Sequence, residues 1–176
     1  MRDGDALDNN PHVSKSALEA IHSQVFGWAL SRCNYERATA EDLMQQAYVE
    51  LLSGNARFDN KSSLKTFVFS IVQNLAKSRY RRLANRFRLL QQFAPLPQAG
   101  IVNENPGAAD SKDLWRVVKA LPARQRDIIE LVFLGDMTIA EAAAVMGVSV
   151  GTGRVHYDRA KKALRARLAD AAELEQ

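Results

Sequence analysis

Residues 138–168, TIAEAAAVMGVSVGTGRVHYDRAKKALRARL, constrain the fold more than any other stretch. Thr138 with Glu141 three residues on is a capping box, which starts a helix. Ala140, Ala143 and Ala144 keep that helix thin, so a second helix can pack close. Gly147 stands where a left-handed C-terminal cap is wanted, Val148 plugs the corner, and Ser149 caps the next helix. That helix carries Arg154, Arg159, Lys161, Lys162, Arg165 and Arg167 against a single acid, Asp158. A short helix, a tight turn and a basic helix make a helix-turn-helix, whose second helix lies in a DNA major groove. A plain helical hairpin with a solvated basic face is the competing reading. The two caps, the glycine turn and the small-residue first helix together favour DNA binding.

Elsewhere apolar residues recur at three- and four-residue spacing, and strand signals are scarce, so an all-α fold is expected. Cys33 is the only cysteine, which excludes an internal disulfide and fits a reduced, cytoplasmic setting. No apolar run reaches the roughly 18 residues of a membrane span. The opening MRDGDALDNNP is polar and acidic, unlike a signal peptide, and residues 1–13 read as a disordered tail.

The net charge of +4 is unevenly placed. Residues 1–60 are net acidic, whereas residues 61–94 hold eight basic groups and no acid. The C-terminal part is basic again. Two positive centres separated by a neutral-to-acidic gap suit a protein that grips nucleic acid at two places. The gap contains Pro95, Pro97, Gly100, Pro106 and Gly107 without sustained periodicity, and reads as a tether. Two small helical domains follow, at 14–92 and 111–176, joined by a flexible linker at 93–110.

Three main helices are expected in the first domain. One runs from near Ser16, with Glu19 completing a capping box, to about Arg32, with Leu18, Ile21, Val25 and Trp28 as its stripe. A second starts at Thr39 and ends at Gly54, with rows Leu43–Ala47–Leu51 and Met44–Tyr48–Leu52. A third starts near Ser62 or Ser63, with Leu64, Phe67, Val68, Ile71, Val72 and Leu75 at core spacing. In the second domain Ser111 caps a helix through Ala120, Leu121-Pro122 breaks it, and ARQRDIIELVFLGD leads into the helix-turn-helix.

On the third helix Ser70, Asn74, Lys77 and Arg81 form one polar stripe with Phe67 at its rim. Polar groups beside an aromatic edge suit unstacked bases and phosphates, and Arg79, Arg82 and Arg86 extend the positive surface. Solvated helices usually mix charge signs, and this one has no acid. The second helix presents Glu41, Asp42, Gln45, Gln46 and Glu50 outward, as plain solvated surface or as a protein-binding face. His12, His22 and His156 are scattered, and no catalytic or metal-binding pattern stands out. No enzyme activity, cofactor, metal or small-molecule substrate is expected.

Three segments resemble bacterial RNA polymerase sigma factors. AEDLMQQAYVELL is similar to their AEDLVQE-type segment, and SSLKTFVFSIVQNLAKSRYRR to the segment that follows it. ALPARQRDIIELVFLGDMTIAEAAAVMGVSVGTGRVHYDRAKKAL resembles their LP…R-E…G-EIA…GVS-GTV…RA…L pattern. The order, spacing and chain size point to the extracytoplasmic-function (ECF) class. That resemblance implies that Asp42, Gln45 and Gln46 dock on the β′ clamp helices of core RNA polymerase. It implies that Asn60, Lys61, Ser62 and Ser63, with Asn74, recognise the melted −10 element, a surface that Phe67, Ser70, Lys77 and Arg81 complete. Arg79, Arg82 and Arg86 would hold the upstream DNA backbone, and the linker would thread toward the active-site cleft. The second domain would touch the β flap and read the −35 element through Thr152, Arg154, Val155, Asp158 and Arg159, with Ser149 and Lys162 on the same surface. An anti-sigma protein is an expected partner; membrane insertion is not expected.

The chain departs from the family pattern at several places. Gln46 replaces a usual glutamate, Phe67 a frequent tryptophan, and Ser78 a common aspartate. Gly153 replaces a buried valine, at about 1 kcal/mol of helix propensity relative to alanine, and allows closer backbone approach. By base-edge chemistry Arg154 or Arg159 suits guanine, Val155 a thymine methyl and Asp158 a cytosine amine. Two alternatives compete with a sigma factor. A sigma mimic would sequester an anti-sigma protein, and a stand-alone helix-turn-helix regulator would leave the first domain without a role.

Overall fold

Two N-caps lie upstream of the places where local sequence puts them. Ser14, not Ser16, caps the first helix, α1 (Lys15–Arg32), its Oγ accepting from the Ala17 amide at 3.1 Å. Glu19 serves instead as an i,i+4 partner of Lys15, at 3.8 Å. Glu36, not Thr39, caps α2 (Arg37–Leu52), its two carboxylate oxygens accepting from the Ala38 and Thr39 amides at 3.0 and 2.7 Å. The capped amides and the hydroxyl of Thr39 hold the exposed Glu36 carboxyl below the usual carboxylate range, the Thr39 side-chain bond being the largest cause. The third helix, α3 (Leu64–Gln91), begins where expected, with Ser63 Oγ accepting from the Thr66 amide at 3.1 Å.

The structure, a computed structural model, describes residues 6–7, 10–91 and 116–174. The expected linker at 93–110 and the expected cap at Ser111 lie outside those residues. The chain divides into two compact units, Met1–Glu104 and Asn105–Gln176.

In the first unit α1, α2 and α3 pack around Val25, Trp28, Ala29, Leu43, Met44, Ala47, Leu51, Val68, Phe69 and Val72. Trp28 stacks on Phe69 with ring centroids 5.8 Å apart, and its indole N–H donates to the Phe69 carbonyl at 3.2 Å. Phe69, absent from the expected core row, is almost fully buried, whereas Phe67, Ile71 and Leu75 are half-buried. The row model fails here because α3 packs against both α1 and α2, which widens its apolar arc.

Among the described residues the fold is all-α apart from one short hairpin. β1 (Ala6–Leu7) pairs antiparallel with β2 (Asn10–Ser14), which runs directly into α1. Residues 10–13, assigned to a disordered tail, are therefore ordered. Asn10 is 2% exposed and Val13 fully buried. The physical reason is non-local: the Asn10 carboxamide bonds three backbone groups of residues 51–58.

In the second unit a helical turn at 116–119 stops at Leu121-Pro122. α4 (Ala123–Phe133), α5 (Ile139–Met146) and α6 (Val150–Leu174) follow. Val118, Leu121, Ile128, Leu131, Met137, Val145, Met146 and Ala160 are buried together with Ala142 and Ala143. Among the described residues no helix is long and apolar enough to cross a membrane.

Candidate nucleic-acid interface

The helix-turn-helix forms through the short-range chemistry read from its sequence. Thr138 Oγ1 accepts from the Glu141 amide at 3.2 Å, and Glu141 Oε2 accepts from the Thr138 amide at 2.9 Å, closing the capping box. Gly147 adopts the left-handed conformation (φ 69°), which returns the Val148 amide to the Ala143 carbonyl at 3.0 Å. Ser149 Oγ then accepts from the Thr152 amide at 3.1 Å, capping α6. Of the alanines expected to thin α5, Ala143 is buried, but Ala140 and Ala144 are exposed and Ala142 takes their place. Gly153 is buried against this helix, and a Cβ there would lie 3.0 Å from Ala143 Cβ. The close approach expected from glycine is therefore present.

With Gly153 and Ala160 inward, α6 exposes Thr152, Arg154, Val155, Asp158, Arg159 and Lys162. Ser149 is also exposed, although its hydroxyl lies 2.9 Å from that of Thr152. Tyr157 turns toward α4, stacking on Phe133 at 6.5 Å, and draws Lys161 over its ring at 5.2 Å.

On α3, Asn74, Lys77 and Arg81 are exposed along one stripe. Ser70 is half-buried and its hydroxyl donates to the Thr66 carbonyl at 2.9 Å, leaving only acceptor capacity toward a ligand. Phe67 is half-buried at the rim, its ring tilted against Phe58 at 5.3 Å. Arg82 and Arg86 are exposed. Arg79 reaches back to α2, its Nη2 donating to Thr39 Oγ1 at 3.4 Å.

The loop before α3 is shaped by its own side chains. Asn60 is left-handed (φ 58°), a conformation asparagine tolerates better than most residues. Lys61 bonds Asp59 at 2.5 Å, which lowers the Asp59 carboxyl, raises the Lys61 ammonium and offsets part of the loop's positive charge. Ser62 donates to the Ser63 carbonyl at 3.3 Å, and Ser63 shares a 2.8 Å bond with Thr66 Oγ1. Residues 59–63 are all exposed.

Asp42, Gln45 and Gln46 share the outer face of α2, where Gln46 donates to Glu50 at 3.0 Å. Two further residues on this face escaped the sequence reading. Val49 is 53% and Leu52 46% exposed, although helical spacing puts Leu52 in a core row with Met44 and Tyr48. Their signal was the spacing of Asp42, Gln45, Val49 and Leu52, which is one helical stripe. Apolar side chains beside amides and an acid suit a protein partner better than DNA. Cys33 is half-buried, and burial pushes its thiol up, away from nucleophilic use.

An acid-free helix on one unit and a capped helix-turn-helix on the other define a DNA-binding protein. Residues 17–86 match the family Sigma-70 region 2, and residues 111–164 match Sigma-70, region 4. The chain is 30% identical over 132 residues to the ECF RNA polymerase sigma factor EcfG of Rhodopseudomonas palustris, covering 73% of this chain and 71% of that one. It is 29% identical over 166 residues to the ECF sigma factor SigC of Mycobacterium tuberculosis, covering 94% and 87%. Among solved structures, the sigma factor RpoE of Bartonella quintana, in complex with the anti-sigma factor NepR, superposes with a TM-score of 0.66. Identity there is 25%, and 88% of this chain and 96% of that chain are covered. The chain belongs to the ECF sigma factors of the sigma-70 family. Its function is promoter-directed initiation of transcription with core RNA polymerase.

Proposed function

We propose that the faces described above divide that work. Asp42, Gln45 and Gln46, extended by Val49 and Leu52, dock on the β′ clamp helices of core polymerase. Asn60, Lys61, Ser62 and Ser63, with Asn74, take up melted −10 bases. Phe67 offers its edge for stacking, Ser70 an acceptor, and Lys77 and Arg81 neutralise phosphates. Arg82 and Arg86, assisted by Arg79, follow the upstream duplex. Thr152, Arg154, Val155, Asp158, Arg159 and Lys162 lie in the −35 major groove, with Ser149 at the mouth of the helix, while the same unit meets the β flap. The role requires binding energy and no chemistry by the chain itself: contacts made only to unstacked bases shift the duplex toward its melted form. Such work is done on polymerase in the cytoplasm. The complex of the structural relative RpoE with the anti-sigma factor NepR supports an anti-sigma partner for this chain, one that would cover these surfaces.

The observation that carries the reading is the pairing on one unit of an amide, acid and apolar face on α2 with an acid-free face on α3. One face suits protein and the other suits nucleic acid. The test mixes the purified chain with core polymerase and a genomic promoter library, and sequences the transcripts. Starts downstream of one shared two-part motif are expected. No binding to core polymerase would overturn the docking assignment. Stable binding without such starts would overturn the assignment of the DNA faces.

A further inference from the structure

Asn10 lies far from every DNA-facing residue in sequence, yet it sits at the base of the loop assigned to −10 recognition. Its carboxamide has two N–H donors and one carbonyl acceptor, and all three roles are used. Nδ2 donates to the Leu51 carbonyl in the last turn of α2, at 2.5 Å, and to the Ala56 carbonyl at 3.1 Å. Oδ1 accepts from the Phe58 amide at 2.8 Å. The Leu51 carbonyl, in the last turn of its helix, also accepts from the Gly54 amide at 3.3 Å. Ala56 and Phe58 belong to the turn that leaves the helix. One buried side chain therefore joins the backbone bonds from Gly54 to Leu51 and from Ala56 to Glu50 in closing the turn that follows α2.

The consequence runs forward along the chain. Phe58, held at its amide, packs its ring on Phe67 at 5.3 Å. At the other end Ser63 is fixed by its bonds to Thr66. Between these two anchors lie Asp59, Asn60, Lys61 and Ser62, all exposed, with Asn60 left-handed at the centre. A span of four residues pinned at both ends has little freedom left, so its binding edge is arranged before DNA arrives. Aspartate at position 10 keeps an acceptor for Phe58 but puts a carboxylate against two carbonyls. Alanine leaves the Phe58 amide and the Ala56 carbonyl without this partner, while the Leu51 carbonyl keeps the Gly54 amide at 3.3 Å.

We infer that Asn10 is a positioning residue for −10 base selection, acting through Phe58 on the loop Asp59–Ser62 and on the Phe67 ring. The inference rests on the assignment of that loop to −10 recognition. It is tested in holoenzyme with promoters that carry each base in turn at every −10 position. Core-polymerase affinity is measured alongside by fluorescence anisotropy. In Asn10→Ala the preference for the best −10 base falls about tenfold, while affinity for core stays within about twofold, because Asp42, Gln45 and Gln46 lie one turn or more before the Leu51 carbonyl that Asn10 holds.

Asn60→Ala in the same assay separates the two ideas. If Asn60→Ala flattens the preference and Asn10→Ala does not, the loop assignment stands and the role of Asn10 is overturned. If neither Asn60→Ala nor Asn10→Ala changes it, the loop assignment fails and takes this inference with it. If Asn10→Ala also loses core binding, Asn10→Asp decides. Retained core binding with a flattened preference supports positioning. Retained preference, or loss of core binding in both variants, shows that Asn10 holds the unit as a whole and overturns the inference.

Discussion

Gly153→Ala sets two quantities against each other, and the structure decides which prevails. In a helix interior alanine is favoured over glycine by about 1 kcal/mol. The new methyl would lie 3.0 Å from Ala143 Cβ and 3.6 Å from Ile139 Cγ2. Carbon atoms prefer about 3.5–4.0 Å, so α5 and α6 must separate by roughly half an ångström. Neither contacting Cβ can rotate away, because each is fixed to a helix backbone. Overpacking of this kind costs about 1–3 kcal/mol. The expected net is a destabilisation of the second unit by about 1 kcal/mol, the propensity gain offsetting part of the strain. Native-state hydrogen exchange at the α5 and α6 amides reads this directly as faster opening. Ala143→Gly in the same chain removes the opposing methyl, so the double variant recovers part of the loss, with a coupling energy of about 1 kcal/mol. Slower exchange in Gly153→Ala, with no coupling to Ala143→Gly, would show that the helices yield freely and refute the close-packing argument.

Arg154→Ala is expected to weaken promoter binding by about 1–3 kcal/mol and to relax one position of the −35 element. An equal loss on all sequences would make Arg154 a phosphate contact instead. Val49→Glu puts a charge into the proposed polymerase interface and should reduce core affinity roughly tenfold or more, with little change in the urea midpoint of the free protein. The Glu36 carboxyl is held low in the folded state, so its contribution is complete above the ordinary carboxylate range and is lost as pH falls through the lowered value. Urea midpoints measured against pH should therefore show a weaker acid dependence in Glu36→Gln than in the parent chain; identical slopes would count against the cap.

The helix-turn-helix was legible because its determinants act within a few residues. Thr138 and Glu141 meet across one helical turn, and Gly147 needs only its own φ. Distance along the chain defeated the reading of Asn10, whose partners lie 41 to 48 residues away. The caps at Ser14 and Glu36 were missed for a subtler reason. Ser16 and Thr39 offer equally good local chemistry, and the choice falls to how β2 and the turn at Asn34 and Tyr35 deliver the chain. Val49 and Leu52 show the reverse case, in which helical spacing fixed a common face but not whether that face was covered. On α3 the polar stripe was legible, yet the inward bond of Ser70 and the reach of Arg79 to Thr39 depend on rotamers and neighbours that spacing does not encode.

Every residue from Arg79 to Arg88 is exposed, so the far part of α3 is a beam that leaves its support. The twelve residues from Tyr80 to Gln91 span roughly 18 Å at helical rise. A helix that short has little stability of its own, since most helical stability comes from packing. Five arginines crowd this stretch, including Arg79 at its root, and no acid relieves them. The root is tied to α2 through Thr39. A polyanion laid along the beam would remove the repulsion and favour its helical form in one act. Arg79 joins the root of the beam to Thr39 in the first turn of α2, so a force borne by the beam enters the three-helix core at that junction.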